Sequence, residues 1–489
     1  MKNVIIAGSG NAALCAGIAA LENGAKVLML EKADQDMSGG NTKYTAGAMR
    51  FAYENGSSLL PLLQNPDDPR IATTDFGSYP REKFASDLLG FNGGRPLSVE
   101  QETLVSESYD AMAWLSSHDV KFDPIYARQS FKKDGRDVFW GGLTLASANE
   151  GVGLFDQELD AFTRMGGEIR YNCAVTELVT DGDAVTGVKT STRETLMADS
   201  VILACGGFEA NADLRKTHIG DDWDKAKVRG TPHNTGDGLV MAQKLGAQTY
   251  GFFGGCHATP MDLHMVDYGN LDIPAGERKN YRKICYFLGV MLNAKGDRFV
   301  DEGINFRNYT YAQFGAAIME QPEHFAWQIF DAKVADLLYA EYNFHDAHYV
   351  EAESLDELIT KLDGVDQAGA TATLSAYNDA VNDDVAFDPT VLDGKSTTGL
   401  ALAKSNWAQK IDQGPFRAYP VTGGITFTYG GLKVNGQGCI LHENGAPISG
   451  LYACGEMVGG VFFEGYPGGS GLTSGVVFGR RAGKGAAGS

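Results

Sequence analysis

Residues 3–31 read NVIIAGSGNAALCAGIAALENGAKVLMLE, and this stretch decides the fold. The apolar run over residues 3–7 predicts a short buried strand. A glycine turn follows, then a helix of small residues to about Asn23, then a second strand over residues 26–31. Such an opening implies a parallel sheet with right-handed crossovers. At the turn, Gly8-Ser9-Gly10-Asn11-Ala12-Ala13 fits the pattern G-x-G-x-x-G/A. Gly8 permits the sharp turn, Gly10 lets backbone approach a pyrophosphate, and Ala13 is small enough for helix–strand packing. The first turn of the helix, with Ser9, Asn11 and Ala12, presents unpaired N–H groups to phosphate oxygens. Glu31 ends the second strand about 20 residues on, where a carboxylate accepts ribose hydroxyls, and Lys32 stands beside it. The ligand expected is a dinucleotide without a 2′-phosphate, FAD or NAD.

The glycine distribution chooses between them. The chain has 62 glycines in 489 residues, where the usual ~7 % would supply roughly 34. Only 15 prolines and no triplet repeat exclude collagen, and 43 % hydrophobic residues exclude a disordered polymer. Further glycine-rich turns end other strands: Gly39-Gly40-Asn41-Thr42, running on through Thr45-Ala46-Gly47; Ala204-Cys205-Gly206-Gly207; Thr235-Gly236-Asp237-Gly238; and Ala453-Cys454-Gly455-Glu456. A series of such turns suits an elongated cofactor lying across the sheet, which favours FAD.

Lys and Arg number 41 against 62 Asp and Glu, a net charge of −21. That balance argues against a nucleic-acid partner. The seven cysteines are scattered without Cys-x-x-Cys spacing, so no disulfide framework, iron–sulfur ligation or other metal site is expected. No apolar run reaches the ~18–20 residues of a membrane span. The apolar N-terminal stretch is broken by its glycine turn, which favours a cytoplasmic protein over a cleaved leader. Composition also divides the chain. Residues 262–410 hold 10 glycines, with 12 basic against 24 acidic residues, and residues 331–393 look helical. This predicts an inserted domain over 262–410, between flanking parts 1–261 and 411–489.

The motifs together resemble the fumarate reductase/succinate dehydrogenase flavoprotein superfamily over essentially the whole chain. GGNTKYTAGAMR resembles its flavin-side loop, NTGDGLVMAQKLGA its helix opener and AKGDRFVDEGINFR the start of its capping domain. GLYACGEMVGG and GGSGLTSGVVFGRRAG resemble its flavin-closing tail. The resemblance implies an α/β fold: a doubly wound, Rossmann-like FAD-binding domain in two sequence pieces with an inserted α+β capping domain. Beyond the first turn, it implies cofactor contacts from Gly40, Asn41, Thr42, Thr45, Ala46 and Gly47. It adds Val175, Cys205, Gly206, Asp237 and Glu456, then Ser470 and Leu472 at the last helix. Asn41 stands where membrane-bound members carry a histidine linked to FAD, so the resemblance implies noncovalent FAD.

CHATPMDL, DEGINFRNYTYAQFG and YPGGSGLTSGVVFGRRAG are similar to the tricarballylate dehydrogenase branch. Tyr466-Pro467-Gly468 resembles the Tyr-Pro-Gly of 3-ketosteroid dehydrogenases, and Tyr466 replaces the arginine of soluble fumarate reductases. In the ketosteroid family that hydroxyl binds a substrate carbonyl. Glu302, Arg307, Tyr309 and Tyr311 sit where the family's cap reaches the flavin, and a tyrosine beside an arginine is a candidate base. Arg307 is equally a candidate carboxylate clamp. His257 matches a carboxylate-binding histidine, and Ser470 and Gly471 are expected to touch substrate. The resulting expectation is an FAD-dependent desaturase of a small acid, tricarballylate-like or a cyclic keto acid, with an external electron acceptor. Reduction of an activated alkene and oxidation of an amino acid are the alternatives.

Overall fold

The structure, a computed structural model, describes residues 1–265 and 281–488; residues 266–280 of the expected insertion lie outside them. The chain opens with β1 (Asn3–Ala7), α1 (Asn11–Glu22) and β2 (Lys26–Leu30), as the opening sequence predicts. Helix α2 (Glu150–Arg164) leads into β3 (Glu168–Arg170), and β4 (Ser200–Leu203) follows. Next come β5 (Cys256–Asp262), β6 (Val290–Leu292), α3 (Arg307–Met319), β7 (Phe325–Phe330) and the 13-residue β8 (Phe416–Thr428). The chain closes with β9 (Cys439–Leu441), β10 (Pro447–Ala453) and α4 (Ser470–Ala487).

The first sheet has the order β9-β10-β4-β1-β2-β3. All neighbours are parallel except β9 and β10. Helices cover both faces of a parallel sheet, so its strands are continuous apolar runs. All four residues of β4 are buried, as are four of the five in β1. Helix α4 lies against α1 through small residues. A methyl group at Gly479 would come within 2.7 Å of the Ala12 carbonyl, and one at Gly483 within 2.1 Å of that of Ala16. This close approach brings the last helix to the first glycine turn, where Asn11 Nδ2 donates to the Leu472 carbonyl at 2.8 Å.

The second sheet is built around β8. Strands β5 and β7 pair with β8 antiparallel, and β6 extends the sheet beyond β7. Strand β8 therefore shares a sheet with strands of the expected insertion, although it follows the expected boundary at 410. The register sets His257 opposite Phe427 and slips between His257 and Ala258. Such bulges re-aim side chains beside functional sites. Helix α3 packs on β5 so closely that a methyl group at Gly315 would meet the Ala258 carbonyl carbon at 2.4 Å. The acidic stretch departs from expectation in part. Residues 332–337 and 340–342 are short 3-10 turns, and α-helix appears at Leu355–Thr360 and Gln367–Ala380. Segments this short gain too few i→i−4 bonds to offset helix nucleation, and the Asp331 carboxylate instead caps the Lys333 N–H.

Candidate active site

A cavity of about 260 Å³ runs from the carboxyl ends of β1, β2 and β4 to the joint between the two sheets. Carboxyl ends of parallel strands are where open α/β sheets receive ligands. Gly8 to Ala12, Glu31, Lys32, Val175, Cys205, Gly206 and Asp237 line one end. Gly8 has φ +105°, and a methyl group there would sit 2.4 Å from the Ala204 carbonyl oxygen, so the turn itself demands glycine. Ser9 Oγ donates to Glu31 Oε2 at 2.5 Å, and the Ala33 N–H donates to Glu31 Oε1 at 2.7 Å. These bonds hold the carboxylate in the cavity wall with lone pairs left for a diol. Lys32 closes the edge through its 2.7 Å ion pair with Asp237.

The middle is formed by the loop after β2 and by the start of α4. Gly40, Asn41, Thr42, Thr45 and Ala46 line the cavity, with Gly471 and Leu472 opposite. Asn41 is held at three points: its Nδ2 donates to Glu209 Oε1 (2.7 Å) and the Thr426 carbonyl (2.6 Å), and its Oδ1 accepts the Thr231 N–H (2.8 Å). Thr42 Oγ1 accepts the Asn11 N–H at 2.9 Å.

FAD fits these residues. Gly10 has φ −72°, and a methyl group there would meet nothing nearer than Thr42 Oγ1 at 3.4 Å. One at Gly40 would meet nothing nearer than 3.9 Å, and one at Gly471 nothing nearer than 3.7 Å. Protein packing does not require glycine at Gly10 or Gly471; each would fill the cavity itself if it carried a side chain. Two helix N-termini, those of α1 and α4, aim N–H groups at the space these glycines keep open.

The far end is aromatic. The His257 ring stacks on Phe427 (5.2 Å, 27°) and lies edge-on to Tyr311 (5.0 Å) and Tyr466 (5.1 Å). Phe462 packs on Phe427 and Tyr466. The hydroxyls of Tyr311 and Tyr466 are 2.6 Å apart. Burial, reinforced by Tyr311, pushes the Tyr466 phenol well above its ordinary value, so it stays protonated. Burial, with Arg229 and Arg282 nearby, holds His257 far below the usual imidazole range. The ring is neutral, and its buried Nδ1 has no hydrogen-bond partner among the described residues.

Among the described residues, four arginines line the same end: Arg128, Arg229, Arg282 and Arg307. Arg307 lies over the rings of Trp140 (5.3 Å) and Tyr339 (5.2 Å), and its Nη2 donates to the Arg128 carbonyl at 2.7 Å. Its buried Nε has no hydrogen-bond partner. Arg128 and Arg282 share the buried Glu341 at 3.4 and 3.3 Å. Burial would raise that carboxyl, but Arg282 and Arg128 hold it below its ordinary value. Arg229 Nη1 donates to Thr426 Oγ1 at 2.9 Å, beside Phe427. Sequence reading named only Arg307 of the four. The others sit on separate segments without a shared motif, and only tertiary packing assembles them.

Four expected site residues stand elsewhere. Glu302 is fully buried against Arg298 and accepts the Met291 N–H at 2.9 Å, so it is a structural ion pair and faces no substrate. Tyr309 points away from the cavity and donates to Asp87 Oδ2 at 2.7 Å. Burial pushes it to about 12, which excludes a resting tyrosinate. Ser470 is buried behind the helix start, where its Oγ donates to the Pro467 carbonyl at 2.7 Å. Gly47 packs against Glu150, whose backbone a methyl group would meet at 2.6 Å. Val175, Cys205 and Gly206 line the cavity as expected, as does Glu456.

This geometry is that of a dinucleotide-binding flavoprotein. A family model described as an FAD binding domain matches residues 3–472, and the chain belongs to that family, within the fumarate reductase/succinate dehydrogenase flavoprotein superfamily. Its cofactor is FAD. The chain is 28 % identical to the NADH:fumarate oxidoreductase of Klebsiella pneumoniae (strain 342), covering 99 % of this chain and 47 % of that protein, so it spans about half that relative's length. The open conformation of a flavocytochrome c3 fumarate reductase is 25 % identical with a TM-score of 0.71, over 99 % of this chain and 78 % of that one. The 3-ketosteroid-Δ4-(5α)-dehydrogenase of Rhodococcus jostii RHA1 shares the fold at 21 % identity, with a TM-score of 0.72 over 100 % of this chain and 97 % of that one. Among the described residues, no helix is long and apolar enough to cross a membrane.

Proposed function

We propose that this chain is a flavin-dependent oxidoreductase that reduces the C=C bond of a small α,β-unsaturated carboxylate. The observation that carries this reading is the presence of the hydrogen-bonded Tyr311–Tyr466 hydroxyl pair and the Arg307 guanidinium in one cavity. Arg307, stacked and short of one acceptor, binds the substrate carboxylate through its planar fork. Arg128, Arg229 and Arg282 add positive charge where the acid gains electron density. The tyrosine pair donates a proton to the carbon next to the carboxylate. Phe427 and Phe462 keep water from that proton. Hydride chemistry at the neighbouring carbon is what FAD supplies when bound.

Direction follows from protonation. Burial keeps the Tyr466 phenol protonated as a donor, and it depresses His257 to a weak base. Desaturation needs a resting base, so this geometry favours reduction over the direction the sequence suggests. A second reading, desaturation of a cyclic keto acid, rests on Tyr466, a neutral donor suited to a ketone oxygen. Electrons are exchanged with an external partner. Asn41, an amide with every polar atom engaged, supports noncovalent FAD.

The test is anaerobic. Reduced enzyme is mixed with fumarate, with acrylate and with an uncharged enone, and flavin absorbance is followed. Reoxidation by the carboxylates alone is expected. Bleaching of oxidised enzyme by saturated acids, with no reoxidation by any enoate, overturns the direction; ammonia or peroxide formed from amino acids overturns the class. Acid precipitation is expected to release all the flavin.

A further inference from the structure

We propose that Glu209 and Glu456 form a proton-sharing carboxyl pair in the wall of the FAD cavity, and that this pair takes up one proton from water when an external reductant adds two electrons to bound FAD. Glu456 lines the cavity, and its Oε1 accepts the Thr428 N–H at 2.6 Å and the Thr428 hydroxyl at 3.0 Å. Glu209 stands directly behind it and is fully buried. Its Oε1 accepts from Asn41 Nδ2 (2.7 Å) and Asn234 Nδ2 (2.6 Å), two amides that themselves line the cavity. Among the described residues, Glu209 Oε2 accepts from no side-chain donor, and the carboxyl of Glu456 lies in contact with this carboxyl. Two carboxyls in contact, one of them fully buried, do not both ionise readily, so the pair holds a proton between them.

The other polar groups packed around the pair come from several elements. Arg215, on the Ala212–His218 helix, donates from Nη1 to the Glu209 backbone carbonyl at 2.6 Å and from Nε to that of Trp223 at 2.7 Å. Arg229 donates to Thr426 Oγ1, and Cys256 of β5, with its thiol pushed up by burial, lies nearby. Burial likewise raises both carboxyls, Glu209 well above the ordinary carboxylate range and Glu456 to about 7, so one proton stays on the pair and binding of a second falls near neutrality. Any negative charge added next to the wall favours the protonated pair further. Asn41 is the mechanical link, because it joins Glu209 to the loop that carries Gly40 and Thr42.

The experiment is a redox titration of the FAD-loaded protein at several pH values between about 6 and 8, for wild type and Glu209→Gln. In the wild type, the midpoint potential is expected to fall with pH more steeply than in Glu209→Gln, by the increment of one proton per electron pair. Reduced-minus-oxidised infrared spectra of the wild type are expected to show a protonated-carboxyl band that shifts in D2O. Equal slopes in the two proteins overturn the proposal, since a purely structural Glu209 would change FAD affinity and leave the slope alone. Should Glu209→Gln fail to hold FAD, the wild-type infrared spectrum decides, and absence of the carboxyl band overturns the proposal.

Discussion

The hydroxyls of Tyr311 and Tyr466 sit 2.6 Å apart, one on α3 and the other on the loop that leads into α4. One of the two protons must lie between the oxygens. If the pair supplies the reaction's proton, Tyr466→Phe should lower turnover by roughly 10²–10³-fold with FAD occupancy unchanged. The double variant Tyr311→Phe/Tyr466→Phe should cost little more than the larger single change, because the two act as a unit. Steady-state turnover with flavin content measured alongside checks both statements, and multiplicative losses would separate the two tyrosines.

Arg307 is stacked between Trp140 and Tyr339, with its Nε unpartnered. Replacing it by alanine should lower kcat/KM on an acid substrate by roughly 30- to 1,000-fold, the usual cost of removing one partner of a desolvated charge pair. Arg307→Lys should not restore activity, since an ammonium neither forks nor stacks in that slot. Recovery by lysine would reduce Arg307 to a point charge.

The glycines separate folding from cofactor binding. Gly8→Ala places a methyl group 2.4 Å from a carbonyl oxygen at a positive φ, so the protein should lose both Tm and yield. Gly10→Ala meets no protein atom nearer than 3.4 Å, so the apoprotein should keep its Tm while FAD occupancy collapses. Thermal unfolding and flavin absorbance of purified apo and loaded protein give the answer. A large Tm loss in Gly10→Ala apoprotein would move its requirement from the ligand to the fold.

Glu158 carries a pH dependence. Its side chain is fully buried on α2, and Cys15 Sγ donates to Oε1 at 3.6 Å. Burial pushes its carboxyl far above the usual range, against the small lowering from Cys15. A carboxyl raised on folding contributes stability below its unfolded value, and that stability is lost as pH rises from there through the folded value. Wild-type Tm should therefore drop from about pH 5 toward pH 8 by more than that of Glu158→Gln, which stays neutral throughout. Parallel Tm–pH curves for the two proteins would show that Glu158 is neutral in neither state or in both.

The opening stretch of sequence determined the nucleotide-binding half by itself. Strand, glycine turn and helix are local, and Gly8, Gly10 and Glu31 line the cavity where those local rules place them, while the loop from Gly40 to Ala46 lines it as the family resemblance implies. The substrate end was legible only in Arg307, His257, Tyr311 and Tyr466, each near a recognisable string. Glu302 and Tyr309 belong to the same strings, yet neither reaches the cavity. Arg298 takes up Glu302, and Tyr309 points toward Asp87.

Tertiary structure alone decided the rest. Arg128, Arg229 and Arg282 come from three distant segments, and Phe427 meets His257 through pairing of β5 with β8. The Glu209–Glu456 contact likewise joins the turn after β4 to the turn after β10. The physical reason is one of range. Turn geometry and helix starts are set within a few residues, so they are written in local sequence. Charge clusters and shared protons depend on which elements share a buried wall, and that is settled only when the two sheets pack together.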